Sequence, residues 1–272
     1  MKLLLFLVSI GILICPAAIS QPHFGPPRPN VATPADRTAG AAFNMHWMQF
    51  TDSGFSPLRY NGPGGTFRIF SVVDRGHLRR HFAIGGKADY LWNRLGFDSW
   101  YLQPEIGGGL TFPVDALSTD QGISHAGGNI SATYRVYRFM NEDPGHIYWT
   151  TSYTLDFHYI FDYEFDRDKN FVAVLNIPLA GAVSRPAEER NQTFQFPGFS
   201  QYFMRIHENT GFVTLDKMQA ANIRLSYDIT RSRRRSFSIG YEVDFARFAH
   251  PEPVMYFSNS LFFRLNFYRF FW

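Results

Sequence analysis

The chain closes on Leu261-Phe262-Phe263-Arg264-Leu265-Asn266-Phe267-Tyr268-Arg269-Phe270-Phe271-Trp272, in which apolar and polar side chains alternate over most of the length. One face of a strand with this sequence carries Leu261, Phe263, Leu265 and Phe267. The other face carries Arg264 and Asn266. A period of two residues predicts a β-strand with one apolar and one polar side. Because domains of soluble proteins commonly end in polar, frayed residues, this aromatic ending indicates a chain that finishes within a sheet.

Three earlier segments show the same alternation: 153–164, 221–230 and 236–248. In the last of these, aromatic and branched side chains alternate with Ser238, Gly240, Glu242 and Asp244. Helical spacing would scatter these acids around the helix, whereas strand spacing collects them on one side. Weaker alternation and turn residues predict further strands at 65–74, 80–90, 99–112, 129–140, 171–183 and 194–206, with the last strand at 255–269. These segments together predict an all-β antiparallel fold with about ten strands.

The composition favours a membrane β-barrel. Aromatic residues make up 18% of the chain, yet its mean hydropathy is only −0.19. Beyond the amino terminus, no apolar run approaches the ~20 residues of a transmembrane helix. A barrel needs apolar side chains at alternate positions only, so its average can stay polar. The net charge of +3, which falls to +2 when Lys2 is removed, is weak and dispersed, so no nucleic-acid partner is expected.

The amino terminus has the pattern of a signal peptide over residues 1–20. Lys2 precedes an apolar run from Leu3 to Cys15, and small residues at 18–20 suit cleavage before Gln21. Lipidation at Cys15 is the alternative, although Ile14 stands where a small residue is expected. A proline-rich periplasmic lead is predicted at 21–42, and a barrel domain at 43–272.

The aromatic ending resembles the carboxyl-terminal assembly signal of Gram-negative outer-membrane β-barrel proteins, with Trp272 in place of the usual Phe. The resemblance implies that the barrel-assembly machinery reads Phe267, Phe270 and Trp272. It also implies a location in the cell outer membrane, in contact with outer-membrane lipid. Twelve strands are the alternative to ten, if the run 43–50 pairs with a further strand near 55–60; otherwise the run lies outside the barrel.

Both termini of such barrels face the periplasm, which assigns a side to each connection. The segments predicted to be extracellular are 113–128, 164–170, 207–217 and 249–254; those predicted to be periplasmic are 141–146 and 231–235. Aromatic residues near strand ends are expected to form girdles at the membrane interfaces: Trp47, Trp92, Trp100, Tyr101, Tyr148, Trp149, Tyr256 and Trp272. A soluble periplasmic sandwich or barrel stays open as an alternative, because alternation does not tell which face points inward.

If the polar faces point inward, the predicted lumenal charge network comprises Arg224, Glu242, Asp244, Arg264, Asp156 and His158. Glu242 and Asp244 lie between the strands of Arg224 and Arg264, so we expect cross-strand ion pairs. Further inward charges are expected at Lys87, Asp89, Glu105, Arg135, Asp162 and Asp228. Such side chains either fill a narrow lumen with salt bridges or line a path for small solutes.

The run 122–129 has a slight resemblance to the His-x-Ser-Asn element of outer-membrane acyl hydrolases. His125 matches the histidine, but Gly127 occupies the position of the nucleophilic serine. No cofactor and no metal site are predicted. We therefore interpret the chain as a non-enzymatic, membrane-embedded subunit of a larger assembly with envelope protein partners. A narrow, porin-like channel for small solutes and an acyl hydrolase acting on lipid are the alternatives.

Overall fold

The fold is described from a computed structural model, which covers residues 36–53, 56–119, 121–141, 148–166, 169–185, 207, 210–232, 235–249 and 253–268. Several features predicted from the sequence lie outside these residues: the signal peptide at 1–20, residues 21–35 of the proline-rich lead, the strand at 194–206, Phe270 and Trp272. Side chains at 36, 56–57, 230–232, 235 and 268 are likewise not described.

Antiparallel strands make up almost all of the described chain. They are β1 (Asp36–Asp52), β2 (Ser56–Asp74), β3 (Arg79–Trp92), β4 (Asp98–Pro113), β5 (Gly122–Phe139), β6 (Tyr148–Asp166), β7 (Lys169–Ser184), β8 (Thr210–Thr214), β9 (Met218–Ser232), β10 (Arg235–Phe248) and β11 (Val254–Tyr268). A single 3-10 turn, Asp115–Leu117, joins β4 to β5 in this part of the chain. The described residues include no helix long and apolar enough to cross a membrane.

The strands close into a barrel because the first and last of them are hydrogen-bonded to each other. Phe43 of β1 lies opposite Phe263 of β11, and β6 pairs with β7. β8 and β9 follow one another along β7 and share one position in the wall. The barrel therefore has ten strand positions, the number that the sequence predicts.

The ten positions are not the ten segments that the sequence predicts. The run 43–50 belongs to β1, and 55–60 contributes to β2, which continues to Asp74. β1 begins at Asp36, before the predicted domain start at residue 43, because its first residues pair with both β2 and β11. β7 pairs directly with β8 and β9, which leaves no position between them for another strand. The described strands fill all ten positions, and one of them is β1, which the ten predicted segments did not include.

The sides assigned to the connections need a correction. The end of the barrel where β1 begins and β11 stops is called here the terminal end, and β2, β4, β6 and β9 also stop there. The opposite end, where β1, β3, β5, β7 and β10 stop, is called here the loop end. The prediction separated 113–128 and 164–170 from 231–235, although the described residues of all three lie at the terminal end. Every strand reverses the chain, and β7 pairs directly with β8 and β9, so counting a wall strand between them inverts the side assigned to each earlier connection.

The apolar faces of the strands form the outer wall. Leu261 and Leu265 of β11 are 58% and 53% exposed, and Phe263 between them is exposed as well. On β10, Ser238 and Glu242 point inward and are 0% and 2% exposed. A soluble barrel would show the reverse arrangement, with its apolar side chains buried. The wall is therefore a lipid-facing surface, and the chain is an outer-membrane β-barrel.

The predicted aromatic girdle is correct in part. Trp47, Trp92 and Trp100 are exposed on the outer wall, and the rings of the first two meet edge to face at 5.7 Å. Three other predicted members point into the lumen, where Tyr101 is 1%, Tyr148 8% and Tyr256 6% exposed. Trp149 is also buried, and Trp272 is outside the described residues. Neighbouring residues in a strand point to opposite faces, so Trp100 and Tyr101 cannot both lie in a girdle.

Candidate functional site in the barrel lumen

Two cavities in the described part of the lumen lie one after the other along the barrel axis. The terminal cavity, of about 280 Å³, lies toward the terminal end and is lined by Asp162 and Arg264. The loop cavity, of about 230 Å³, lies toward the loop end and is lined by Asp156 and Phe248. Four polar side chains line both cavities and therefore mark the boundary between them: Arg68, His81, His158 and Arg224.

Glu242 is the centre of the ionic network at this boundary. Both of its carboxylate oxygens accept hydrogen bonds from Arg68 Nη1, each at 3.0 Å. Asn44 Nδ2 donates to Oε2 at 2.9 Å, and Asn222 Nδ2 donates to Oε1 at 2.7 Å. The arginine comes from β2, so this contact ties β10 to a strand that is not its neighbour. A carboxylate with this many donors is fixed in position.

The ion pairs differ from the expected cross-strand pairs. Glu242 lies opposite Arg224 in the β9–β10 register, yet its ionic partner is Arg68. Lys87 of β3 pairs with Asp244, and Arg264 of β11 pairs with Asp228 of β9 at 2.9 Å, past the intervening strand. The closed, curved wall brings distant strands within reach across the lumen. Pairs of this kind depend on the diameter of the barrel, which a strand register does not reveal.

The sequence interpretation missed Arg68, although a signal for it exists. Arg68 stands between the outward Phe67 and Ile69 in a segment that was predicted as a strand. Its Nε donates to Glu105, and its Nη1 donates to Glu242, so a single guanidinium joins β4 to β10. Gly85 of the neighbouring strand makes room for it, because a Cβ there would lie 2.6 Å from the Arg68 Cγ atom.

The loop end of the lumen is filled by aromatic side chains. This aromatic plug consists of Phe50, Tyr60, Tyr101, Tyr137, Phe139, Tyr148, Phe248 and Tyr256. The ring of Phe50 is fully buried, and its centroid lies 4.9 Å from that of Tyr137. These two rings come from β1 and β5, on separated parts of the wall, so their contact bridges the lumen. A buried pair, Asp52 with Arg185 at 2.8 Å, adds to the same end.

The histidine at position 158 belongs to a polar cluster on the wall of the cavities. The rings of His81 and His158 lie 4.4 Å apart, and Nδ1 of His158 is hydrogen-bonded to Asn176. Asn129 connects His81 Nε2, at 3.1 Å, to Asp156 Oδ2, at 3.0 Å. Asp156 and His158 are each 5% exposed. The two residues share one wall of the lumen but make no direct hydrogen bond with each other in the described contacts.

The residues that resemble an acyl-hydrolase element do not form a nucleophile–base pair. Ser124 Oγ donates to Leu117 O at 2.7 Å and lies 2.9 Å from the Tyr159 hydroxyl. His125 points to the other face of β5, and its Nδ1 has no hydrogen-bond partner in the described part of the chain. Serine and histidine therefore lack the contact that general-base activation requires.

A different hydroxyl–imidazole–carboxylate series occurs elsewhere in the lumen, and the sequence interpretation did not include it. His46 Nε2 lies 2.5 Å from Asp89 Oδ1, and His46 Nδ1 lies 3.4 Å from Thr66 Oγ1. The hydroxyl contact exceeds the roughly 2.6–3.2 Å expected for proton transfer. Neither lumenal cavity reaches these side chains, and those of His46 and Asp89 are 0% exposed. The series is a packed element of the wall. Gly64 permits it, because a Cβ there would lie 2.1 Å from Asp89 Oδ1.

Within the described residues, no group of three or more His, Cys, Asp or Glu side chains is arranged to hold a metal ion. Lumenal charges such as Glu242, Asp228 and Asp156 are joined to cations, amides or hydroxyls. The chemistry available there is ion pairing and hydrogen bonding with whatever enters the cavities.

Comparison with known proteins finds similar structures but no family. No family model matches the sequence, and no curated protein matches it. The translocator domain of the autotransporter NalP from Neisseria meningitidis is similar in structure, with a TM-score of 0.47 and 9% identity over 89% of this chain and 90% of that one.

Two further structures are similar in the same way. The beta domain of the Bordetella autotransporter BrkA gives a TM-score of 0.42 at 10% identity, over 86% of this chain and 99% of that one. An outer-membrane channel from Pseudomonas putida F1 gives a TM-score of 0.39 at 11% identity, over 89% of this chain and 99% of that one. The identities are 9–11%, so we infer the function from the lumen of this chain.

Proposed function

We propose that this protein is a closed outer-membrane barrel that serves as a membrane-embedded subunit of a larger envelope assembly. The aromatic plug is the observation that supports this proposal. Its rings meet across the lumen, as in the 4.9 Å contact between Phe50 and Tyr137 and the 5.7 Å contact between Tyr101 and Tyr256. A continuous water column cannot pass between side chains in van der Waals contact.

The ionic network supports the same proposal. Lys87 of β3 and Arg68 of β2 are both tied to carboxylates of β10, which lies on another part of the wall. Separating a buried ion pair costs about 3–5 kcal/mol, so spontaneous widening of the lumen at this level is disfavoured. A barrel that is closed in this way offers its outer wall and its two ends to other proteins.

Conductance in a planar lipid bilayer tests the closed lumen. The purified wild-type barrel is expected to give no steady ohmic current. The double variant Phe50→Ala with Phe139→Ala removes two rings of the plug and should give measurable currents. Phe43→Ala is the matched control, because Phe43 is on the same strand as Phe50 but is 50% exposed on the outer wall. Steady ohmic currents from the wild type would instead favour the narrow channel, for which the two cavities in series are the supporting observation.

Purification from membranes tests the subunit role. A tagged chain extracted with a mild detergent should co-purify with an envelope protein in a fixed ratio. Recovery of a lone monomer under gentle extraction, with no partner captured by chemical crosslinking in intact cells, would contradict the subunit role while leaving the closed lumen in place.

A further inference from the structure

The loop cavity collects polar atoms that lack hydrogen-bond partners. Four buried atoms without a partner in the described chain belong to residues that line it: His81 Nδ1, Arg135 Nε, Asp156 Oδ1 and Arg224 Nε. Buried polar groups are nearly always hydrogen-bonded in folded proteins, because leaving one unpaired is costly. Four such atoms around one cavity therefore indicate that the cavity holds a molecule that forms hydrogen bonds with them.

Both signs of charge are left without an ionic partner around this cavity. Asp156 is 95% buried, and its other oxygen, Oδ2, accepts from the neutral donors Asn129 and Ser131 at 3.0 and 3.2 Å. Arg135 donates from Nη1 to Ser152 Oγ at 3.0 Å, and no ion pair involving Arg135, Arg224 or Asp156 occurs among the described contacts.

The other charged side chains around the cavity are in ion pairs. Arg68 is paired with Glu105 and Glu242, and Asp244 is paired with Lys87. The guanidinium of Arg135 lies 5.3 Å from the ring centroid of Phe248, so one side of this cation faces the aromatic plug. The charged side chains of the cavity without a described ion pair are therefore Arg135, Arg224 and Asp156. The aromatic plug lies on the loop side of the cavity.

We propose that the loop cavity binds a small zwitterion of the α-amino-acid type, with its carboxylate toward Arg135 and Arg224 and its ammonium group at Asp156. A simple anion would leave Asp156 unpaired, and a simple cation would leave both arginines unpaired. The volume of about 230 Å³ is far larger than the roughly 10–15 Å³ that one water needs, and it suits a molecule of this size. The terminal cavity adjoins the site at His81 and Arg224, which line both cavities.

Three probes of matched shape test the proposal on the unmodified protein. L-Alanine carries both charges, propionate lacks the ammonium group, and ethylammonium lacks the carboxylate. Equilibrium dialysis of the detergent-solubilised barrel against each isotope-labelled probe should show L-alanine bound roughly tenfold or more tightly than the other two, because each charge-assisted contact contributes about that factor. Equal affinity for L-alanine and propionate, or no binding of any probe because water alone fills the cavity, would overturn the proposal.

Substitutions locate the site. Asp156→Asn and Arg224→Gln should each weaken L-alanine binding by roughly tenfold. Asp162→Asn is the matched control, because Asp162 is on the same strand as Asp156 but lines the terminal cavity. The proposal is contradicted if Asp162→Asn weakens binding as much as Asp156→Asn does, or if folded Asp156→Asn protein binds L-alanine like the wild type. Conductance does not enter this test, so its outcome is independent of the closed-lumen proposal.

Discussion

Replacing Glu242 by Gln should destabilise the barrel far more than its small change in shape suggests. All four hydrogen-bond contacts described for the Glu242 carboxylate come from donors: two from Arg68, one from Asn44 and one from Asn222. Each oxygen receives one contact from the arginine and one from an asparagine. An amide nitrogen in place of either oxygen would therefore face two donors.

The magnitude follows from burial. The Glu242 side chain is 3% exposed, so water cannot replace the lost contacts. Removing one member of a buried ion pair costs about 3–5 kcal/mol, and each unsatisfied buried donor costs about 1–3 kcal/mol. Arg68 keeps Glu105 as a partner, and rotation of the asparagine amides recovers part of the loss. We expect a net decrease of about 3–5 kcal/mol in the free energy of unfolding.

Reversible unfolding by guanidinium in lipid vesicles, followed by tryptophan fluorescence, measures this decrease from the shift of the midpoint and the slope. Asp74→Asn is the control, because the Asp74–Arg79 pair at the terminal end is 27% and 19% exposed and is screened by water. Asp74→Asn should lower the free energy of unfolding by about 1 kcal/mol or less. A loss for Glu242→Gln below about 1 kcal/mol, or equal to that of the control, would refute the buried ionic centre.

Three other predictions concern the wall and its assembly. Leu261→Arg, near the middle of β11 on the lipid face, should destabilise the membrane-inserted barrel by about 2–4 kcal/mol in the same unfolding assay. Met255→Arg, near the end of the strand, should destabilise it by only about 0–1 kcal/mol. Deletion of residues 270–272 should abolish outer-membrane assembly in cells, seen by fractionation, while the chain still folds into detergent; normal assembly would contradict the signal. Gly240→Ala should lower the free energy of unfolding by about 1–3 kcal/mol, because a Cβ at residue 240 would lie 2.5 Å from an aromatic ring. Gly128→Ala should be tolerated, because a Cβ there would meet only a carbonyl oxygen, at 3.9 Å. Equal effects of the two substitutions would refute the close packing at Gly240.

The sequence assigns many lumenal side chains to the inner face of their strand, but it does not predict which residues these side chains contact. The alternation around Glu242 predicts that this carboxylate shares a face with Ser238 and Gly240, which it does. Its partner Arg68 is far away in the chain, on a strand that is not paired with β10. The choice of that partner depends on barrel closure, since only a closed wall turns the two side chains toward each other.

The aromatic plug shows the same limit more sharply. Aromatic side chains occupy both faces near the loop end, so alternation gives no contrast there. Trp100 and Tyr101 are neighbours, and hydropathy alone allows either to face lipid. The structure exposes 55% of Trp100 and 1% of Tyr101. The abundance of aromatic residues therefore predicts a membrane barrel, but it does not predict which of these residues form the girdle.

The sequence by itself determined that the chain forms antiparallel strands and which side chains share a face, because both follow from a period of two residues along one strand. The final alternating strand, with Phe263 outward and Asn266 inward, was readable in this way. The tertiary structure alone decided the members of the barrel, the side of each connection and the closing of the lumen. These features depend on contacts between strands remote in sequence, such as Phe50 with Tyr137, which no local pattern records.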